Sequence, residues 1–180
     1  MRSIPGMVVM SPADDVEARA MVRAAYEYVG PVYMRFGRAG VPVFHDEASY
    51  TFQIGKGEVL RQGTDVAIIA NGLMVAEALA AAETLAGMGI SAQVINMATI
   101  KPLDEELVLQ AAKTCGKVIT CEEHSVIGGL GEAVCGLLSE KCPTPVRRIG
   151  VNDEFGHSGP AGALLKQFGL SAEHIVEVAK

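Results

Sequence analysis

Two carboxylates and a histidine stand together in "TCEEHSVIGGLGEAVCGLL", where Glu122, Glu123 and His124 precede Gly128, Gly129 and Gly131. Three chemistries suit those residue types. A metal site would need all three side chains on one side. In an extended chain Glu123 points away from Glu122 and His124, so the backbone would have to bend. A general acid–base pair of Glu122 and His124 is geometrically possible, but Ser125 is the only hydroxyl beside it. An anion could lie against the backbone N–H groups that open the following helix. The glycines match neither GxGxxG nor a P-loop. The plainest reading is a strand-to-helix corner, its glycines allowing close packing and its Glu and His serving loop hydrogen bonds or a subunit contact.

A second polar cluster, "GVNDEFGHSGP", carries Asp153, Glu154 and His157 between turn-forming glycines and Pro160. It reads as a surface loop with an Asx-type turn at Asn152 or Asp153. Arg35 and Arg38 stand in "VYMRFGRAGVP", at the outer end of an expected strand. Their odd separation sends them to opposite sides of that strand.

Strand-like and helix-like segments alternate along most of the chain. "MVVMS" reads as a strand, and "SPADD" as a helix start with Ser11 as cap and Pro12 in the first turn. Val32–Arg38 is expected as the next strand, which makes residues 1–40 a partial β-α-β unit. Residues 41–63 read as a Gly-rich linker with a hairpin, Tyr50–Ile54 against Glu58–Arg61. From residue 64 to 180 the alternation resumes. It predicts helices over Leu73–Met88, from Asp104 as cap, over Gly129–Lys141, around Ala161–Phe168, and over Ala172–Ala179 with Ser171 as cap. Four apolar strands separated by helices predict an α/β fold with a mostly parallel sheet covered by helices on both faces. A lone β-α-β unit of about 40 residues is too small to bury a core of its own. It must either dock on the main sheet or be the tail of a larger domain.

Composition narrows the function classes. Of the 180 residues 49% are hydrophobic and 20% charged, which is globular. Aromatic residues make up 5% and Trp is absent, a poor basis for a base-stacking platform. A net charge of −6 argues against a nucleic-acid partner. The apolar runs are too short to span a bilayer, and no membrane partner is expected. Cys115, Cys121, Cys135 and Cys142 form no CxxC pair, so they are expected to be reduced and packed, in a cytoplasmic protein.

Four long stretches carry a resemblance. "MRSIPGMVVMSPADDVEARAMVRAAYEYVGPVYMRFGRAGVPVF" resembles the end of the pyrimidine-binding domain of transketolases. "GTDVAIIANGLMVAEALAAAETLAGMGISAQVINMATIKPLDEELVLQAA", "VITCEEHSVIGGLGEAV" and "RIGVNDEFGHSGPAGALLKQFGLSAEHIVE" resemble successive parts of the transketolase C-terminal domain. The resemblance implies the C-terminal section of a thiamine-diphosphate-dependent transketolase, which moves a two-carbon ketol unit between sugar phosphates. Deoxyxylulose-phosphate synthase and the β subunits of 2-oxoacid dehydrogenases share the architecture and are alternatives. Thiamine diphosphate and magnesium would be bound in the complete enzyme and not by this chain alone. The missing N-terminal domains or subunit would be its partner, a homodimer its assembly, and the chain alone would be inactive. One family site carries over: the arginine that holds the substrate phosphate matches Arg38. A guanidinium at a strand end presents a planar donor fork to a phosphate. Arg35 is a second candidate, with an ion pair to an acidic neighbour as its alternative role. The resemblance assigns no catalytic residue to the C-terminal domain. A non-catalytic assembly or regulatory module, and a freestanding enzyme using Glu122 and His124, are the competing readings.

Overall fold

A computed structural model describes residues 1–180. The main sheet has five strands in the order β3-β5-β4-β7-β8. These are β3 (Glu58–Arg61), β4 (Val66–Ala70), β5 (Ala92–Asn96), β7 (Val118–Ser125) and β8 (Val146–Val151). β5, β4, β7 and β8 are parallel, and β3 runs antiparallel along the β5 edge. Successive side chains of a strand point to opposite faces, and both faces here are apolar. Val66, Ile68 and Ala70 pack under α2 (Met74–Gly87) and α6 (Ala172–Ala179). Ala67 and Ile69 pack under α3 (Glu105–Cys115) and α4 (Leu130–Lys141). α5 (Ala161–Gln167) precedes α6. The chain is therefore an α/β fold with its mostly parallel sheet covered on both faces. No helix is long and apolar enough to cross a membrane.

The first 40 residues dock on this body. β1 (Val8–Met10) pairs in parallel with β2 (Val32–Met34) across α1 (Asp15–Glu27). Its other edge takes β6 (Thr99–Lys101) in antiparallel fashion. A strand from the third segment thus completes the small sheet, and Val9 and Ile100 join the α3/α4 core. The partial unit borrows a strand and a core rather than building its own.

Three local expectations fail, each for a physical reason. The expected hairpin is absent: Glu58–Arg61 pairs with β5, Glu58 opposite Asn96 and Val59 opposite Ile95. An open edge on a four-stranded sheet offers more than an isolated two-stranded ribbon does. Residues 50–54 are irregular, and Phe52 and Ile54 pack on the small core of Val8, Met10 and Met21. The strand expected to reach Arg38 ends at Met34, after which Arg35 N–H donates to Met10 O in a last bond of 2.8 Å. Beyond that, β1 gives way to Pro12, and no strand remains to pair with. Ser11 does not cap α1. Asp14 does, its side chain accepting Glu17 N–H at 2.9 Å. Asp14 Oδ2 also accepts the amides of Phe44 and His45, a load no serine hydroxyl could carry. The caps expected at Asp104 and Ser171 are present.

Candidate functional site

The corner after β7 holds its own anion. Glu122 is 2% exposed and turns inward at the strand end. Its carboxylate accepts Leu130 N–H and Gly131 N–H at 2.8 Å each. α4 has Gly129 at its cap position, with no capping side chain of its own. Glu122 therefore satisfies orphan amides of that first turn from eight and nine residues upstream. Burial pushes the Glu122 carboxyl up from its ordinary value, against the pull of the Gly131 and Leu130 amides and of His124 and Arg148. Gly129 is obligatory for a steric reason: a Cβ there would collide with the Glu122 carboxylate. The loop itself requires Gly128, which sits at φ 78°.

His124 lies on the same side of the strand as Glu122, as the alternation predicts, with Nδ1 3.9 Å from Glu122 Oε2. That nitrogen lies closer to Ser125 O, at 2.8 Å. Glu122 spends both oxygens on the helix, which leaves no free base for an acid–base pair. No group of three or more His, Cys, Asp or Glu is placed to hold a metal ion.

Glu123 faces away and meets Arg35 at 3.2 Å, both about one-third exposed. Arg35 thus has the acidic neighbour its sequence alternative called for. Glu122, Glu123, His124, Gly128, Gly129 and Arg35 all line one cavity, between the small sheet and the C-terminal ends of β4 and β7. Gly131 stays behind Glu122. Arg38 lies elsewhere, exposed in the irregular segment after β2, and makes no ion pair or side-chain hydrogen bond within the chain. Asp153 takes a left-handed conformation at φ 49°, as a turn there requires.

A buried polar cluster fastens the segment that follows Arg38. The imidazole of His45 has Nε2 2.9 Å from Glu58 Oε2 and Nδ1 3.0 Å from Asp14 Oδ2. The second approach is short but poorly aligned for hydrogen bonding. Glu17, at 1% exposure, accepts Ala13 N–H, Tyr50 O–H and Asn96 Nδ2–H. Sequence reasoning missed this cluster. Its members span a Gly-rich stretch with no periodicity, and Asn96 lies 79 positions from Glu17. The one available signal was the unusual density of ionisable residues at Asp14, Glu17 and His45.

Comparison with known proteins adds the context this geometry lacks. A family model described as the transketolase C-terminal domain matches residues 55–175. A 6-deoxy-6-sulfo-D-fructose transketolase subunit of Clostridium sp. (strain MSTE9) is 50% identical over 179 residues, covering 99% of this chain and 55% of its own length. A 1-deoxy-D-xylulose-5-phosphate synthase of Heliobacterium modesticaldum is 44% identical, covering all of this chain and 28% of its own length. A solved structure described as a split gene transketolase, an inactive beta4 tetramer, superposes with a TM-score of 0.96 at 50% identity over 99% of this chain and 58% of that one. The chain spans little more than half the length of the transketolase subunit it matches.

Proposed function

The chain belongs to the transketolase family, as the match of its C-terminal domain model to residues 55–175 shows, and from that premise we propose that it works as the C-terminal part of a split thiamine-diphosphate-dependent transketolase. The complete enzyme would transfer a two-carbon ketol unit between sugar phosphates. The observation that carries the reading is the superposition of 99% of this chain on 58% of a split-gene transketolase chain, at 50% identity. Thiamine diphosphate, when bound, supplies the carbanion chemistry. Cofactor and metal are assigned to the N-terminal partner and to the earlier half of the pyrimidine domain, as the family resemblance implies.

Arg38 is the contribution of this chain to substrate binding. Its guanidinium is exposed and spent on no carboxylate of the chain, so it is free to receive an anionic sugar terminus. A phosphate suits it, and so does a sulfonate such as the one in the sugar named for the Clostridium relative. Arg35 is the weaker candidate, because Glu123 already holds it. Two copies would assemble with their partners in a cytoplasmic enzyme. The test is reconstitution. The chain with thiamine diphosphate, magnesium, a ketose phosphate and an aldose phosphate should give no turnover. Adding the separately expressed missing part should give turnover. Activity from the chain alone would sink the proposal.

The 1-deoxy-D-xylulose-5-phosphate synthase relative supports a second reading, the corresponding part of such a synthase. Pyruvate as two-carbon donor distinguishes the two, since only the synthase reading expects it to be consumed, with release of carbon dioxide.

A further inference from the structure

A cavity opens beside Glu122. It encloses about 250 Å³. Its position follows from the topology. From β4 the chain crosses to β5 on one side, and it later lays β7 on the other. The C-terminal ends of β4 and β7 diverge there, the place where open α/β sheets bind ligands. Asn71 directly follows β4, and Glu122–His124 close β7. The small sheet roofs the crevice with Ser11, Tyr33 and Arg35.

Two of these side chains open onto the cavity without a hydrogen-bond partner in the chain. Asn71 is 6% exposed and Ser11 3% exposed. The Asn71 backbone is fully used, its N–H on Cys121 O and its C=O accepting Met74 N–H, but its amide side chain has no protein partner. The Ser11 hydroxyl has none either, although its N–H donates to Ala98 O. Both line the cavity. An amide and a hydroxyl without protein partners present open donors and acceptors to whatever fills the cavity. The occupant need not be charged. Arg35 is balanced by Glu123 at 3.2 Å and Arg2, at the rim, by Glu132 at 3.2 Å. What remains open is an amide, a hydroxyl, the unused oxygens and nitrogens of a balanced ion pair, and the ring of Tyr33. Paired donors and acceptors beside an aromatic surface recognise adjacent hydroxyl groups on a carbon frame.

We propose that the crevice between the small sheet and the β4/β7 strand ends is a second binding site, for a neutral hydroxyl-rich molecule of polyol or monosaccharide type. It is separate from Arg38, which lies outside the cavity, and does not depend on the transketolase reading. The experiment is a calorimetric titration of the full chain with ribitol, D-ribose and D-ribose 5-phosphate. Saturable binding of ribitol or ribose is expected. Asn71→Leu, which keeps the heavy-atom branching of the side chain and removes its donors and acceptor, should weaken it at least tenfold. Should that variant fail to fold, Ser11→Ala carries the same expectation of weakened binding. Arg38→Ala should leave the affinity unchanged within twofold. Absence of saturable binding of either neutral probe would overturn the proposal. So would binding of the phosphorylated sugar alone, binding indifferent to Asn71 and Ser11, or binding lost with Arg38.

Discussion

The Glu122 carboxylate accepts the Gly131 amide at 2.8 Å and occupies the N-terminus of α4 as its capping anion. A sequence that invites an external anion at Gly128–Gly131 has thus supplied one from the preceding strand. The two glycines of the corner are needed for different reasons, and that difference is measurable.

Gly128→Ala and Gly129→Ala should both destabilise the chain, by separable mechanisms. At Gly128 a Cβ meets open space but the backbone is left-handed, so the cost is strain of about 1 kcal/mol. At Gly129 the Cβ meets the buried Glu122 carboxylate, so the helix must shift or lose a cap of two amides, costing about 2 kcal/mol or more. Denaturant unfolding checks the order. In Glu122→Ala, which removes the obstacle and the cap together, Gly129→Ala should cost far less than in the unsubstituted chain.

Tyr50→Phe tests the buried cluster from its other end. Burial pushes the Glu17 carboxyl up, and the Tyr50 hydroxyl, Ala13 and Asn96 pull it back. Removing the hydroxyl takes one donor from a carboxylate that water barely reaches, a loss of about 1–3 kcal/mol. The same variant should loosen residues 50–54, which hydrogen exchange would register as faster exchange there than in β4.

The architecture was legible in the residues, and the buried polar cluster around Asp14, Glu17 and His45 was not. Apolar runs such as "VAIIA", buried on both faces, and helix caps such as Asp104 and Ser171 act locally, over distances a sequence pattern can express. β3 was misplaced because its partner is an edge more than 30 residues later, where pairing depends on what else is available. Asp14 displaced Ser11 as cap because Phe44 and His45 come back to meet it. For the site, residue types at Glu122, Glu123 and His124 located the cavity wall. They could not tell that Glu122 serves α4, or that Ser11 and Asn71 face the same space from different sheets.

His45 should make stability pH-dependent. Burial lowers its pKa, but the Asp14 carboxylate, with Glu17 and Glu58, raises it further, so the net value lies above that of a free histidine. A raised folded value means that the folded chain holds the proton more tightly than the unfolded chain does. The stabilisation is full below the unfolded value of about 6.5 and is lost as pH rises through the folded value. The melting temperature should therefore fall between pH 6 and pH 8, and His45→Gln should flatten that segment of the profile. An equal fall in both proteins would reject His45 as the titrating group.

Arg38→Ala, in the reconstituted enzyme, should raise KM for phosphorylated sugars and leave kcat nearly unchanged. An anchor far from the reacting carbon holds substrate and transition state alike, and losing such uniform binding appears in KM. One charge-assisted hydrogen-bonding pair contributes roughly 1.5–3 kcal/mol, which corresponds to an increase of about 10- to 100-fold. The control is Arg19→Ala: that arginine is also exposed, but it is already paired with Asp15 and Glu47. Its loss should leave KM unchanged. An unphosphorylated sugar sharpens the contrast, because Arg38→Ala should barely alter KM for a substrate with no anionic terminus to hold. If KM rises equally for both sugars, Arg38 supports the loop and not the phosphate.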